Sequence, residues 1–160
     1  MDLEQATKKA LHGLDVAAAG NAACEACSAG QVQPATEQTS CVACSAGRFQ
    51  PSDGQAVCTA CAAGKFRDTN AAASSSEAIA CKACETGRYQ NQDAQDECAP
   101  CAAGKFRDAA NVAASSSEDT ACKACPADTF QGDAAQVSCR TCAAGQHTAS
   151  ATGQTSCVSL

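Results

Sequence analysis

The sequence predicts a small disulfide-rich fold: an elongated tandem array of short β-hairpin and loop modules, with a short N-terminal helix. Three observations lead there. Cys-x-x-Cys pairs recur at 24/27, 41/44, 58/61, 81/84, 98/101, 122/125 and 139/142, and a single Cys157 follows them. The second cysteine of each pair opens the same kind of turn: Cys27-Ser-Ala-Gly30, Cys44-Ser-Ala-Gly47, Cys61-Ala-Ala-Gly64, Cys84-Glu-Thr-Gly87, Cys101-Ala-Ala-Gly104, Cys125-Pro-Ala-Asp128 and Cys142-Ala-Ala-Gly145. Finally, 15 Cys stand beside four Phe, one Tyr and no Trp in 160 residues. Cross-links must therefore replace a core that Ala and a few aromatics cannot build.

In chain order, residues 1–23 form the expected N-terminal segment. Leu3, Ala6, Ala10, Leu11, Leu14 and Ala18 recur at spacings near three and four, which is helical periodicity, and Gly20-Asn21 would stop such a helix. The apolar stripe is thin and marginal on its own, so the segment is expected either to be a solvated, fraying tail or to pack against another chain or the first repeat. Residues 24–157 are the repeat array, and 158–160 a tail. The starts of the Cys-x-x-Cys pairs are separated by 17, 17, 23, 17, 24 and 17 residues, and 18 more lead to Cys157. The two longer units are near duplicates: Cys61-Ala-Ala-Gly-Lys-Phe-Arg-Asp68 then Ser74-Ser-Ser-Glu77, and Cys101-Ala-Ala-Gly-Lys-Phe-Arg-Asp108 then Ser115-Ser-Ser-Glu118. Their extra residues fall mid-loop, where added length costs little closure entropy.

Within each unit the glycine permits a positive-φ turn just after the bridge, and Asp128 is among the better substitutes there. Five residues after each opening cysteine stands Val32, Phe49, Phe66, Tyr89, Phe106, Phe130 or His147. This position is expected to lie over a disulfide or on the next repeat. Three residues before the closing cysteine stands Gln38, Gln55, Gln95, Gln136 or Gln154 in five of the seven units.

The register suggests a pairing in which each turn-opening cysteine joins the next cysteine: Cys27–Cys41, Cys44–Cys58, Cys61–Cys81, Cys84–Cys98, Cys101–Cys122, Cys125–Cys139 and Cys142–Cys157. Cys24 is then the one left over, as a free thiol or an intermolecular link. A crossed scheme, first with first and second with second as in 24–41 and 27–44, is the alternative; it would strand Cys142. Sequence alone does not choose a connectivity. A disulfide closing a loop of about 15 residues contributes roughly 3 kcal/mol in the chain-entropy model.

Cys-x-x-Cys-x-x-Gly-x-aromatic, with a Gln or Glu near the next pair, resembles the ephrin-receptor-like cysteine-rich repeat, over Cys24 to Cys157. It is also similar to the first half of tumour-necrosis-factor-receptor modules and to arrays in protist surface proteins of the ciliate immobilisation-antigen type. The resemblance implies extracellular, disulfide-bonded, elongated modules found in coats and receptor ectodomains. Val32, Asp128 and His147 depart from the pattern.

Other chemistries compete. Zinc sites at 24/27/41/44, 58/61/81/84 and 98/101/122/125, with a fourth from Cys139, Cys142, Cys157 and His147, have spacings close to zinc ribbons. The glycine sits three residues after the second cysteine, however, rather than directly after it. Redox catalysis lacks the strand–helix setting that lowers a thiol pKa. Only His12 and His147 exist as histidines, and neither belongs to a nucleophile motif. A net charge of −6 with scattered Lys and Arg argues against nucleic acid. No run of 18 apolar residues is present to span a membrane. The acidic start, Met-Asp-Leu-Glu-Gln, carries no apolar signal region, so the chain is expected to be a mature piece or a fragment. The serine runs are expected at exposed loop tips that could carry O-linked sugars. The sequence-level expectation is therefore a non-enzymatic extracellular structural repeat protein without cofactor or metal. It would be a subunit of a surface coat, fibre or appendage, and its partners would be its own copies or other surface proteins. A receptor ectodomain fragment and a zinc array are the alternatives.

Overall fold

The computed structural model describes residues 14–15, 25–35, 40–70, 75–110 and 116–159. The chain divides into two compact units, Met1–Cys61 with Arg67–Lys82, and Ala62–Phe66 with Ala83–Leu160. In the first unit, β1 (Leu14–Asp15) pairs with β2 (Glu25–Ala26), β3 (Gln31–Val32) with β4 (Val42–Ala43), and β5 (Arg48–Phe49) with β6 (Thr59–Ala60), all antiparallel. β7 (Lys65–Phe66) belongs to the second unit, and β8 (Lys82–Ala83) lies where the chain passes from one unit to the other. In the second unit, β9 (Arg88–Tyr89) pairs with β10 (Ala99–Pro100), and β11 (Lys105–Phe106) with β12 (Lys123–Ala124). Further on, β13 (Thr129–Phe130) pairs with β14 (Arg140–Thr141), and β15 (Gln146–His147) with β16 (Val158–Ser159).

Each hairpin follows from the repeat chemistry. In Cys27-Ser-Ala-Gly30 the Gln31 N–H donates to the Ser28 carbonyl at 3.0 Å, and Gly30 takes φ 87°. That conformation costs an L-residue about 1–2 kcal/mol and glycine almost nothing. The chain leaves the turn as a two-residue strand and meets the two residues inside the next Cys-x-x-Cys. Val32 thus faces Val42, and Phe49 faces Thr59. The N–H of the next opening cysteine then donates to the turn carbonyl, as Cys44 does to Gly30 at 3.0 Å and Cys101 to Gly87 at 2.8 Å. Asp128 occupies the turn position of its unit at φ 61°. Isolated ribbons this short are not stable in water. Apart from β1–β2, each is held by a bridge, with Cα atoms 5.5–5.8 Å apart in all seven.

The structure joins Cys27–Cys41, Cys44–Cys58, Cys61–Cys81, Cys84–Cys98, Cys101–Cys122, Cys125–Cys139 and Cys142–Cys157. Cys24 lies outside the described residues. Each long loop also contains one helical turn, Glu77–Ala80 and Glu118–Ala121, which ends directly at the closing cysteine. Four residues are too few for periodicity to register in the sequence.

Two boundaries differ from expectation. The helical stripe over residues 1–20 is interrupted at Leu14–Asp15, which form a strand against Glu25–Ala26. Backbone pairing of the kind found in the other units prevails there over a thin apolar stripe, half of it Ala. The remainder of that segment lies outside the described residues. Val158–Ser159, assigned to a tail, form the strand that closes the last hairpin.

Candidate functional site

The built interior of this protein is the joint between successive repeats. Its first component is the aromatic position. Phe49 packs on the Cys61–Cys81 bridge and Ala80 of the following repeat. Tyr89 packs in the same way on Cys101, Cys122 and Ala121. The helical turns exist to present Ala80 and Ala121, which are 1% and 0% exposed, to that aromatic and sulfur surface. Burying a phenylalanine such as Phe49 contributes roughly 1.5–3 kcal/mol.

The second component is a backbone ladder that runs across the joint. The turn N–H of Gly30 donates to the Gln50 carbonyl at 2.8 Å, Gly47 to Arg67 at 2.9 Å, Gly64 to Gln90 at 2.7 Å, Gly87 to Arg107 at 2.9 Å and Gly104 to Gln131 at 2.7 Å. At the joint after Asp128 the acceptor becomes the Thr148 hydroxyl, at 2.8 Å. Bonds also come back the other way, with Gly54, Ala135 and Gly153 donating to the carbonyls of Cys27, Cys101 and Cys125. Aspartates add to the ladder: Asp53 accepts from the Ala29 N–H at 2.7 Å, and Asp93 from the Ala63 N–H at 2.8 Å.

The third component was missed by sequence reasoning. The residue six positions after each opening cysteine is polar and buried: Gln33, Gln50, Arg67, Gln90, Arg107, Gln131 and Thr148, all at 7% exposure or less. In the 14-residue loops it is Gln, whose side-chain amide donates seven residues onward to the carbonyl just before the closing cysteine. Gln33 reaches Ser40 at 2.6 Å, Gln50 reaches Val57 at 2.6 Å, Gln90 reaches Glu97 at 2.7 Å and Gln131 reaches Ser138 at 2.9 Å. In the long loops it is Arg, which reaches back into the preceding repeat. Arg67 Nη1 donates to the carbonyls of Cys44, Ser45 and Arg48 at 2.9, 2.7 and 3.1 Å. Arg107 Nη1 does the same to Cys84 at 3.1 Å, to Arg88 at 2.8 Å and to Glu85. Burial pushes the Arg107 guanidinium below its ordinary pKa, but an arginine remains charged at any physiological pH. A buried polar group is stable only when bonded, and here the partners are main-chain carbonyls.

The glutamines picked out in sequence do something smaller. Gln55, Gln95, Gln136 and Gln154 donate locally to the carbonyls of Asp53, Asp93, Ala134 and Thr152, and Gln38 lies outside the described residues. Val32 is buried in place of an aromatic. His147 turns its Nδ1 to the Ala149 N–H at 2.8 Å. Of the serine runs, Ser75 and Ser116 are exposed, whereas Ser117 accepts from the Thr120 N–H as a helix cap.

The zinc alternative is corrected by the pairing. Cys58, Cys61, Cys81 and Cys84 are bonded to Cys44, Cys81, Cys61 and Cys98, so they offer no thiolates to a metal. Among the described residues no cluster of three or more His, Cys, Asp or Glu is arranged to hold one. One open groove, lined by Phe66, Glu85, Arg88, Glu97 and Cys98, has a volume of about 200 Å³, below the range of small-molecule sites.

The sequence profile of a family described as tyrosine-protein kinase ephrin type A/B receptor-like matches residues 30–78 and 112–157, more than half of the chain. The chain belongs to this family. Membership makes it a disulfide-rich module of extracellular type, from a family of non-catalytic modules. The two matched segments contain most of the first long loop up to residue 78, the closing half of the second, and six of the seven bridges in full or in part. No curated protein matches the chain. No helix among the described residues is long and apolar enough to cross a membrane.

Proposed function

We propose that this chain is a non-enzymatic structural repeat of the cell exterior, a subunit of a surface coat, fibre or appendage that assembles with its own copies or with other surface proteins. The observation that carries this reading is the joint. Among the described residues, aromatic-on-bridge contacts, turn-to-turn backbone bonds and Arg plugs stack one repeat on the next, while the Gln plugs close their own loops. None of it is gathered into a pocket. Exposed apolar residues, Val57 at 73% and Ile79 at 72% among them, supply contact surface for lateral assembly, and Cys24 supplies a covalent link or a free thiol. O-linked sugars on the exposed serines fit the same setting.

Negative-stain microscopy and light scattering of purified oxidised protein test this. Ordered polymers without any added partner are expected. A monomer at every concentration would sink the assembly role. It would favour the second reading, a ligand-binding ectodomain fragment, which the receptor-like family description supports.

A further inference from the structure

We infer that residues 10–24 are an eighth copy of the repeat, in which Ala10 stands where the other copies carry the opening cysteine. The starting observation is the β1–β2 ladder. Leu14 faces Ala26 and Asp15 faces Glu25. This is the register of the first full repeat, where Gln31 faces Ala43 and Val32 faces Val42. In that repeat the glycine directly before the strand is Gly30, and the opening cysteine lies three residues earlier, at Cys27. The same steps back from Leu14 give Gly13 and then Ala10, so Ala10-Leu11-His12-Gly13 takes the place of Cys27-Ser28-Ala29-Gly30.

The far side of the loop agrees independently. Ala10 precedes Cys24 by 14 residues, the separation of the Cys27–Cys41, Cys44–Cys58, Cys84–Cys98 and Cys125–Cys139 bridges. Gly20-Asn21 stands four and three residues before Cys24, as Gly54-Gln55 stands before Cys58 and Gly153-Gln154 before Cys157. Gly54 and Gly153 both take positive φ, at 66° and 69°. Turn glycine, strand register, loop length and the Gly-amide pair before the closing cysteine therefore all fall into place; the copy departs from the others at the opening cysteine and at the aromatic and plug positions, where Ala10, Asp15 and Val16 stand. This explains the odd cysteine count. Cys24 is a closing cysteine whose opener is Ala10, while the other 14 cysteines pair among themselves.

The inference is independent of the assembly reading and is tested by completing the missing bridge. The wild-type chain, alkylated without reduction, should carry one labelled thiol at Cys24. Ala10→Cys adds a cysteine, yet the labelled thiols should fall from one to zero. Peptide mapping should place the new cross-link between position 10 and Cys24, with the seven native bridges unchanged. Thr7→Cys, three residues upstream, serves as the control and should retain two labelled thiols. Two labelled thiols in Ala10→Cys would overturn the inference. Equal cross-linking of both variants would overturn it as well, because proximity without register would then suffice.

Discussion

The Cys84–Cys98 and Cys101–Cys122 loops begin with the same turn and the same pleat, yet they differ in length, with separations of 14 and 21 residues, and they bury opposite kinds of polar plug. In the short loop the chain returns directly, so the Glu97 carbonyl comes within 2.7 Å of the Gln90 side-chain amide. In the long loop the returning segment is the Glu118–Ala121 turn, whose backbone bonds already tie Cys122 to Glu118. The plug position in the long loop carries no glutamine. A longer, charged side chain turns outward to the preceding repeat instead, as Arg107 does. The Gln50 and Arg67 pair repeats the contrast in the first unit. Loop length changes bridge entropy by only about 0.3 kcal/mol between these cases. The insertion therefore matters for what it does to the plug and for the alanine it brings to the aromatic.

Removing the long-loop plug should have the largest effect. Arg107→Met removes the guanidinium bonds to three turn carbonyls and should cost about 3 kcal/mol or more in chemical unfolding with bridges intact. Gln90→Met should cost about 1–2 kcal/mol. Arg107→Gln should not rescue the first variant. If it does, loop length does not select the plug.

Glycine turns offer the next contrast. A Cβ on Gly87, at φ 76°, would overlap the Ala135 carbonyl, whereas one on Gly145, at φ 79°, would meet nothing within 4 Å. Gly87→Ala should therefore lose about 2 kcal/mol or more, and Gly145→Ala about 1 kcal/mol, in the same assay. Equal losses would mean that the close approach is relaxed by the backbone.

Tyr89, the one tyrosine, gives a spectroscopic test of the aromatic-on-bridge contact. Burial, and then the neighbouring Glu118 carboxylate, push its phenol above the ordinary value of 10.0. The folded protein thus holds the phenolic proton more tightly than the unfolded chain. The corresponding stability is present below about pH 10 and is lost as pH rises through the raised value. Ultraviolet titration of the oxidised protein should show ionisation later than in the reduced, denatured chain, and coincident curves would deny the contact.

The smallest effect belongs to Ala135, which holds φ 60° where Gly54 and Gly153 take the same conformation. Ala135→Gly should stabilise by about 0.5 kcal/mol, the relieved strain exceeding the added unfolded-state entropy.

Much of this architecture was legible in the sequence, because a covalent staple and a turn glycine are local features. The opening Cys-x-x-Gly, the hairpin that follows and the aromatic on the next bridge all follow from spacing. The plug was not legible, because Gln and Arg are ordinarily surface residues and only their backbone partners make them interior ones. A signal was nonetheless present. The sixth position after each opener is Gln in every 14-residue loop and Arg in both long ones. The glutamine three residues before five of the seven closing cysteines is the more conspicuous repeat, although the side chains of Gln55, Gln95, Gln136 and Gln154 make only local bonds. At the N-terminus a weak helical stripe masked a repeat register that lacks its cysteine.

The bridges also determine how the protein carries force. Tension along the chain enters each loop at its opening cysteine and leaves through the sulfur–sulfur bond, bypassing everything in between. The Cys101–Cys122 loop alone, whose cysteines are separated by 21 positions, shelters on the order of 70 Å of extended chain from any pull that does not reduce it. Between Cys27 and Cys157 only the dipeptides between one bridge and the next lie in the load path, so this part of the oxidised chain behaves as a nearly inextensible tether. A reductant would convert it into a long, compliant one.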